Sequence, residues 1–141
     1  MELSSQVKAI ARESGAALVG IASRERLAEA PPSAHPDYLL PATRSVISFA
    51  IPLDRKIIRD YLAKKDWLAH GNDHKRLYRE LYTIAERLVS FLKEKGFEAI
   101  RPDMNNVYRP EGGSSRTTDL ANMVDMVPNF SHRYGAVAAG L

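Results

Sequence analysis

The sequence predicts a single domain, residues 1–141, of the α/β or α+β class, in which helices pack on a small mixed sheet. Two short apolar runs, "ALVGIAS" and "SVISFAIPL", have the length and flanking residues of buried strands. A stretch from His74 to Lys95 repeats apolar residues at helical spacing. The length of 141 residues suits one core, and 45% hydrophobic with 26% charged residues is a globular composition.

The first half of the chain is predicted as helix, strand, loop and strand. A short helix begins at Ser4 or Ser5, which are good capping residues, and Gly15 is placed to end it. The strand "ALVGIAS" follows, and four prolines in "PPSAHPDYLLPATR" then predict a loop. The run "SVISFAIPL" is apolar on both faces, so we expect this strand at the centre of the sheet.

Two helices are predicted in the middle of the chain. The first runs from Arg55 to Trp67, and an interruption is expected near Gly71 and Asn72. The second runs from His74 to Lys95 and is about 33 Å long, enough to cross a sheet face. Its apolar stripe consists of Leu77, Leu81, Ile84, Leu88 and Leu92.

The last third begins with "FEAIRP", which resembles a third strand, and continues as a polar loop from Asp103 to Asp119. Ser131 is a candidate N-cap of a final helix. No basic last turn or capping residue follows Leu141, so we expect this helix to remain open and the chain to be a fragment of a longer protein. The apolar residues of that helix, which could pair with a second copy in a homodimer, are Tyr134, Val137, Ala138 and Leu141.

The composition excludes several classes of chemistry. The chain has no cysteine, which excludes disulfides, thiolate zinc sites, cysteine nucleophiles and cysteine-ligated iron–sulfur clusters within it. No apolar run approaches a membrane span and the N-terminus lacks a secretory core, so we expect a cytoplasmic protein without a membrane partner. A net charge of +3 permits an anionic ligand or a nucleic acid and specifies neither.

Two polar patterns have both a functional and a structural interpretation. His70 and His74, with Asp66 and Asp73 nearby, have the i, i+4 spacing of a helical metal site, but the expected break at Gly71 favours solvated polar residues. The loop "RPEGGSSR" could hold a phosphate through its backbone amides, Arg109 and Arg116, although a surface loop is the favoured interpretation. Trp67, Tyr61, Tyr78 and Tyr82 are expected to pack rather than to stack on bases.

Asp125 is the candidate catalytic residue. It lies between Val124 and Met126, and apolar surroundings disfavour a charged carboxylate, which raises the pKa and makes a proton donor. A carboxylate that caps the turn at Pro128 or pairs with Arg133 is the structural alternative.

Four stretches together resemble the N-terminal half of the epoxyqueuosine reductase family, which is similar to the cobalamin-dependent reductive dehalogenases. They are "SGAALVGIAS", "HPDYLLPATRSVISFAIPL", "YRELYTIAERLVSFLKEKGFEA" and "VDMVPNFSHRYGAVAAGL", and they cover most of the chain in the family's order. The last is the most distinctive, because it joins V-D-x-x-P to an arginine and Ala-Gly-Leu. This chain has Asp125-Met126-Val127-Pro128 where the family has D-T-G-P, which leaves the substrate open.

The resemblance implies a fold similar to cobalamin-processing and nitroreductase-like domains, and a reductase that uses cobalamin. Its electrons would come from iron–sulfur clusters in a C-terminal part beyond Leu141, so the fragment alone is expected to be inactive. Asp125 matches the family's proposed proton donor, and Arg133, Tyr134 and Gly140 are expected near the cofactor. The substrate would be a tRNA, as in tRNA modification, or a small molecule. A non-catalytic interaction or tRNA-binding module on the same fold is the alternative.

Overall fold

The computed structural model describes residues 2–103, 107–111, 113, 116–117 and 126–141. It confirms the α+β class, since helices accompany two antiparallel two-stranded sheets. In chain order the helices and strands are α1 (Leu3–Glu13), β1 (Leu18–Ser23), β2 (Ser45–Ala50), α2 (Arg55–Leu62), α3 (Trp67–Glu94), β3 (Tyr108–Pro110), β4 (Met126–Pro128) and α4 (His132–Ala138). Two short 3₁₀ turns, Glu25–Leu27 and Pro36–Tyr38, lie in the connection between β1 and β2.

The ribbon formed by β1 and β2 has one bulky face and one face of small residues. The two strands pair antiparallel, with Val19 opposite Phe49 and Ile21 opposite Ile47. Because side chains alternate along a strand, these four residues share one face, and they pack against the core. The opposite face carries Leu18 and Val46 together with the small residues Gly20, Ala22, Ser48 and Ala50.

The core lies between the bulky face of this ribbon and the helices α1 and α3. Val7 and Ala11 of α1 contact Ile84 and Leu88 of α3, and all four side chains are buried. Their spacings of four residues place each pair on one side of its helix. The apolar stripe predicted on the long helix is therefore confirmed at the positions that form the core.

Helix α4 packs against the small-residue face of the ribbon. A Cβ atom added to Gly20 would overlap the carbonyl oxygen of Ala139 and lie 2.5 Å from Cδ1 of Leu141. Gly135 in turn packs on the ring of Phe130, where a Cβ would meet Cε1 at 3.0 Å. The helix can approach this closely only because both contact positions are glycine.

The end of α4 differs from the sequence prediction. Gly140 has φ of +85°, its N–H donates to the carbonyl of Val137, and the N–H of Leu141 donates to the carbonyl of Ala136. This is a Schellman motif with glycine at C′, so the helix is closed and the expectation of an open helix is wrong. Of the four apolar residues considered for a homodimer, Val137 is exposed and the other three are half-buried.

Three further expectations are also wrong. Helix α3 begins at Trp67 and continues through Gly71 and Asn72, so its 28 residues span about 42 Å. Asp66 caps it, with Oδ1 accepting from the N–H of Ala69 at 2.8 Å. The segment "FEAIRP" forms no strand. Within the described residues β2 pairs with β1 alone, so β2 is not a central strand.

Of the described helices, none combines the length and apolar character that crossing a membrane requires.

We predict opposite effects of alanine at two glycines. Gly20→Ala should lower the free energy of unfolding by about 1–3 kcal/mol, because the added methyl group displaces the end of α4. Gly71→Ala should raise it by about 0.5–1 kcal/mol, because Gly71 is helical and nothing lies within 4 Å of its Cβ position. Urea denaturation measures both values. A Gly20→Ala protein as stable as the native one would contradict the packing of α4.

Candidate functional site

The short hairpin of β3 and β4 is built around a buried arginine. Arg109 lies in the middle of β3 opposite Val127, and its side chain is fully buried. Its Nη1 donates hydrogen bonds of 3.0–3.3 Å to three carbonyl oxygens of the adjoining turn, those of Pro110, Glu111 and Gly113. One cation thereby donates to three carbonyl groups of this turn, of which that of Pro110 also accepts from the N–H of Gly113.

The same guanidinium reaches two other segments of the chain. Its Nη2 donates to the carbonyl of Pro32 in the proline-rich loop, and its Nε donates to the carbonyl of Asn129 at 3.3 Å. The guanidinium also lies over the ring of Tyr38, with 4.0 Å between its carbon and the ring centroid. Arg109 therefore lies at a junction of three segments: the hairpin, the proline-rich loop and the segment that leads into α4.

The charge of Arg109 is balanced mainly by dipoles. Among the described residues no carboxylate forms an ion pair with it. Burial lowers the pKa of Arg109 from its ordinary value, since the charged form loses hydration. The backbone carbonyls and the face of Tyr38 replace that hydration, which is the condition for keeping a buried charge.

A second group of polar contacts holds the start of α4. The N–H of Asn129 donates to the carbonyl of Val107 at 2.8 Å, and its Nδ2 donates to the carboxylate of Asp103 at 3.0 Å. Arg116 also pairs with Asp103, at 2.5 Å. Ser131 then caps the helix, with Oγ accepting from the N–H of Tyr134 at 3.3 Å. The segment that leads into α4 is thus tied to residues that precede β3.

A recess of about 310 Å³ lies beside this junction. Asp37 on its wall accepts two hydrogen bonds from Arg24, at 2.6 and 2.8 Å, and these bonds lower the pKa of the carboxyl group. The recess is therefore lined by an ionised carboxylate and by an aromatic residue, Tyr38. Its lining consists of Ala30, Pro32, His35, Asp37 and Tyr38.

Three of the four predicted site residues, Arg133, Tyr134 and Gly140, are described by the structure and lie in α4 or directly after it. Asp125 lies outside the described residues and directly precedes the first residue of β4 in the sequence. Arg133 is exposed in the first turn of α4, next to the half-buried Tyr134, and Gly140 is exposed at the other end of the helix. Arg133 and Val137 are spaced i, i+4 and are both exposed, so they share one face of α4, whereas Gly140 lies just beyond the helix as its C′ residue.

A phosphate site in "RPEGGSSR", the less favoured interpretation of this segment, receives no support from the contacts of its two arginines. Arg109 is turned into the protein and donates to backbone carbonyls, and Arg116 is engaged by Asp103. Gly112, Ser114 and Ser115 lie outside the described residues. The central position of Arg109 had no sequence signal, because its partners are carbonyl groups of residues distant along the chain.

Metal-ligating side chains are sparse in the described ranges. No three His, Asp or Glu residues there are grouped closely enough to hold a metal ion.

No protein-family model matches this chain, and no curated protein or solved structure matches it either.

We predict that Arg109→Lys destabilises the protein by about 3 kcal/mol or more, because lysine has no planar fork and leaves several carbonyl groups unpaired. The matched control is Arg133→Lys on the exposed face of α4, which should change stability by less than about 0.5 kcal/mol. Thermal and urea unfolding of both variants would give the comparison. Similar stability of the two variants would show that Arg109 does not organise the junction.

Proposed function

We propose that this chain is the N-terminal, cobalamin-type domain of an iron–sulfur reductase related to epoxyqueuosine reductase, with its substrate unassigned. The observation that carries the proposal is the exposed face of α4, which follows β4 in the chain, while β4 in turn directly follows Asp125 in the sequence. The segment "VDMVPNFSHRYGAVAAGL", which bears the most distinctive resemblance, includes both β4 and α4.

Two surfaces can be compared as places for a corrinoid. The recess beside Tyr38 is too small, because its volume is about 310 Å³ and a corrinoid exceeds the drug-sized ligands whose pockets measure about 300–1,000 Å³. The exposed face of α4 suits a flat ring better. It offers the guanidinium of Arg133 and the apolar side chain of Val137, which is 74% exposed, and the exposed Gly140 follows just beyond the end of the helix.

When bound, cobalamin supplies reducing chemistry that side chains lack. Reductive removal of an epoxide oxygen consumes two electrons and two protons and releases water, so a reductase of this class needs a proton donor. In our proposal Asp125 donates one of these protons, and Arg133 orients the bound group. The electrons come from iron–sulfur clusters on other polypeptide, since this chain has no cysteine to ligate them.

A titration with cob(II)alamin tests the binding proposal. We expect saturable changes in the visible absorption and electron paramagnetic resonance spectra. Arg133→Gln should weaken binding by about fivefold, because it removes a charge-assisted contact. Arg12→Gln, at an exposed position on α1, is the matched control and should bind as the native chain does. Absence of any spectral change would contradict the cofactor, and salt-sensitive tRNA binding that ignores cobalamin would favour the interaction module.

A second prediction concerns the proton. With titanium(III) citrate as electron donor and an epoxyqueuosine-containing oligonucleotide as substrate, Asp125→Asn should leave cob(II)alamin affinity unchanged and slow reduction by about 10²-fold or more. The control is Glu111→Gln, an exposed carboxylate in the same hairpin region. Equal reduction rates for the native chain and Asp125→Asn would refute the acid role.

A further inference from the structure

Helix α3 brings two histidines together near its N-terminus. Since the helix is continuous through Gly71, His70 and His74 lie on successive turns of one side. Their ring centroids are 5.4 Å apart, and the ring planes are inclined by 35°. The reason for treating this pair as ordinary solvated residues, a helix break between them, is therefore absent.

Tyrosine rings hold both histidine rings in place. Tyr61 of α2 stacks on His70 with 4.0 Å between centroids, and Tyr78 of α3 stacks on His74 at 5.1 Å. Trp67 contacts the ring of Tyr61 edge-on at 4.9 Å. His70 and Tyr61 are half-buried, so their packing limits the rotation of the His70 imidazole before a ligand binds, whereas His74 and Tyr78 are exposed.

The Nδ1 atom of the His70 ring is not used in a hydrogen bond within the described part of the chain. The same atom is buried. A buried polar atom without a partner is uncommon in folded proteins, and an ion or water at the site is a usual explanation. Hydrogen bonds among the described residues therefore do not explain why this nitrogen of His70 is buried.

The nearby carboxylates are engaged by other groups. Asp66 caps the helix, with Oδ1 accepting from the N–H of Ala69 at 2.8 Å. Asp73 pairs with Arg76, with 2.6 Å between its Oδ1 and Nη2 of the arginine. The two imidazoles are therefore the candidate ligands in this part of α3.

We propose that His70 and His74 bind one divalent late transition-metal ion of the Zn²⁺, Ni²⁺ or Cu²⁺ class. These ions favour imidazole ligands, and two histidines spaced i, i+4 on a helix can share one of them. An ion about 2.1 Å from one nitrogen of each ring holds the ring centroids about 5 Å apart, close to the observed separation. No third protein ligand is grouped with the pair in the described ranges, so water completes the coordination and the ion is exchangeable. This site is independent of the function proposed for α4.

Four histidines in the chain allow a matched test. The native chain, titrated calorimetrically with Zn²⁺ near neutral pH, should bind about one ion. His70→Gln and His74→Gln should each weaken binding by about tenfold or more, which corresponds to loss of one of two ligands. His35→Gln and His132→Gln are controls in other parts of the fold, and each should leave the affinity within about twofold.

Binding of Cu²⁺ identifies the ligands independently of the Zn²⁺ affinity. The electron paramagnetic resonance spectrum of the native chain with one equivalent of Cu²⁺ should show hyperfine coupling to two imidazole nitrogens. His74→Gln should reduce this coupling to one nitrogen, and since His74 is exposed, the variant should keep its fold, as circular dichroism would verify. Unchanged Zn²⁺ affinity in both His70→Gln and His74→Gln, or no binding by the native chain, would overturn the proposal.

Discussion

The structure around the proposed site depends on one buried cation. The guanidinium of Arg109 binds carbonyl groups from three segments that the sequence separates, and it does so without a carboxylate partner among the described residues. Arginine suits this role because it presents several N–H donors in a plane and remains charged when buried. Without this cation, the carbonyl groups in the turn after β3 would lose the donor that they share.

The position of α4 follows from this arrangement and from the sheet. On one side Asn129 and Ser131 tie the start of the helix to the hairpin and the proline-rich loop. On the other side Gly20 allows the end of the helix to contact β1 closely. Arg26 also donates to the carbonyl of Ala138 at 3.0 Å, which satisfies one carbonyl in the last turn. Both ends of this seven-residue helix are therefore determined by contacts outside it, as expected for a helix too short to be stable alone.

Features set by local periodicity could be predicted from the sequence, whereas those set by distant contacts could not. The stripe of α3 and the strand β1 follow from side-chain spacing, and Ile84 and Leu88 are buried as that spacing requires. The predicted break at Gly71 failed because a glycine costs a helix only about 1 kcal/mol, and the Asp66 cap and the packing of α2 outweigh that cost. Closure at Gly140 did have a signal, because glycine is the usual C′ residue. The role of Arg109 had none, since carbonyl partners leave no mark on a sequence.

The continuous hydrogen-bond ladder of α3 has a mechanical consequence. The helix contains no proline, the commonest cause of a sharp kink, so its two ends are expected to move together as one rigid element. One end carries Trp67 and the contacts with α2, and the other carries Leu88 in the core beside α1. A tilt of the Trp67 end therefore also moves the opposite end. The core residues packed around Leu88 must then shift with the helix or oppose the tilt.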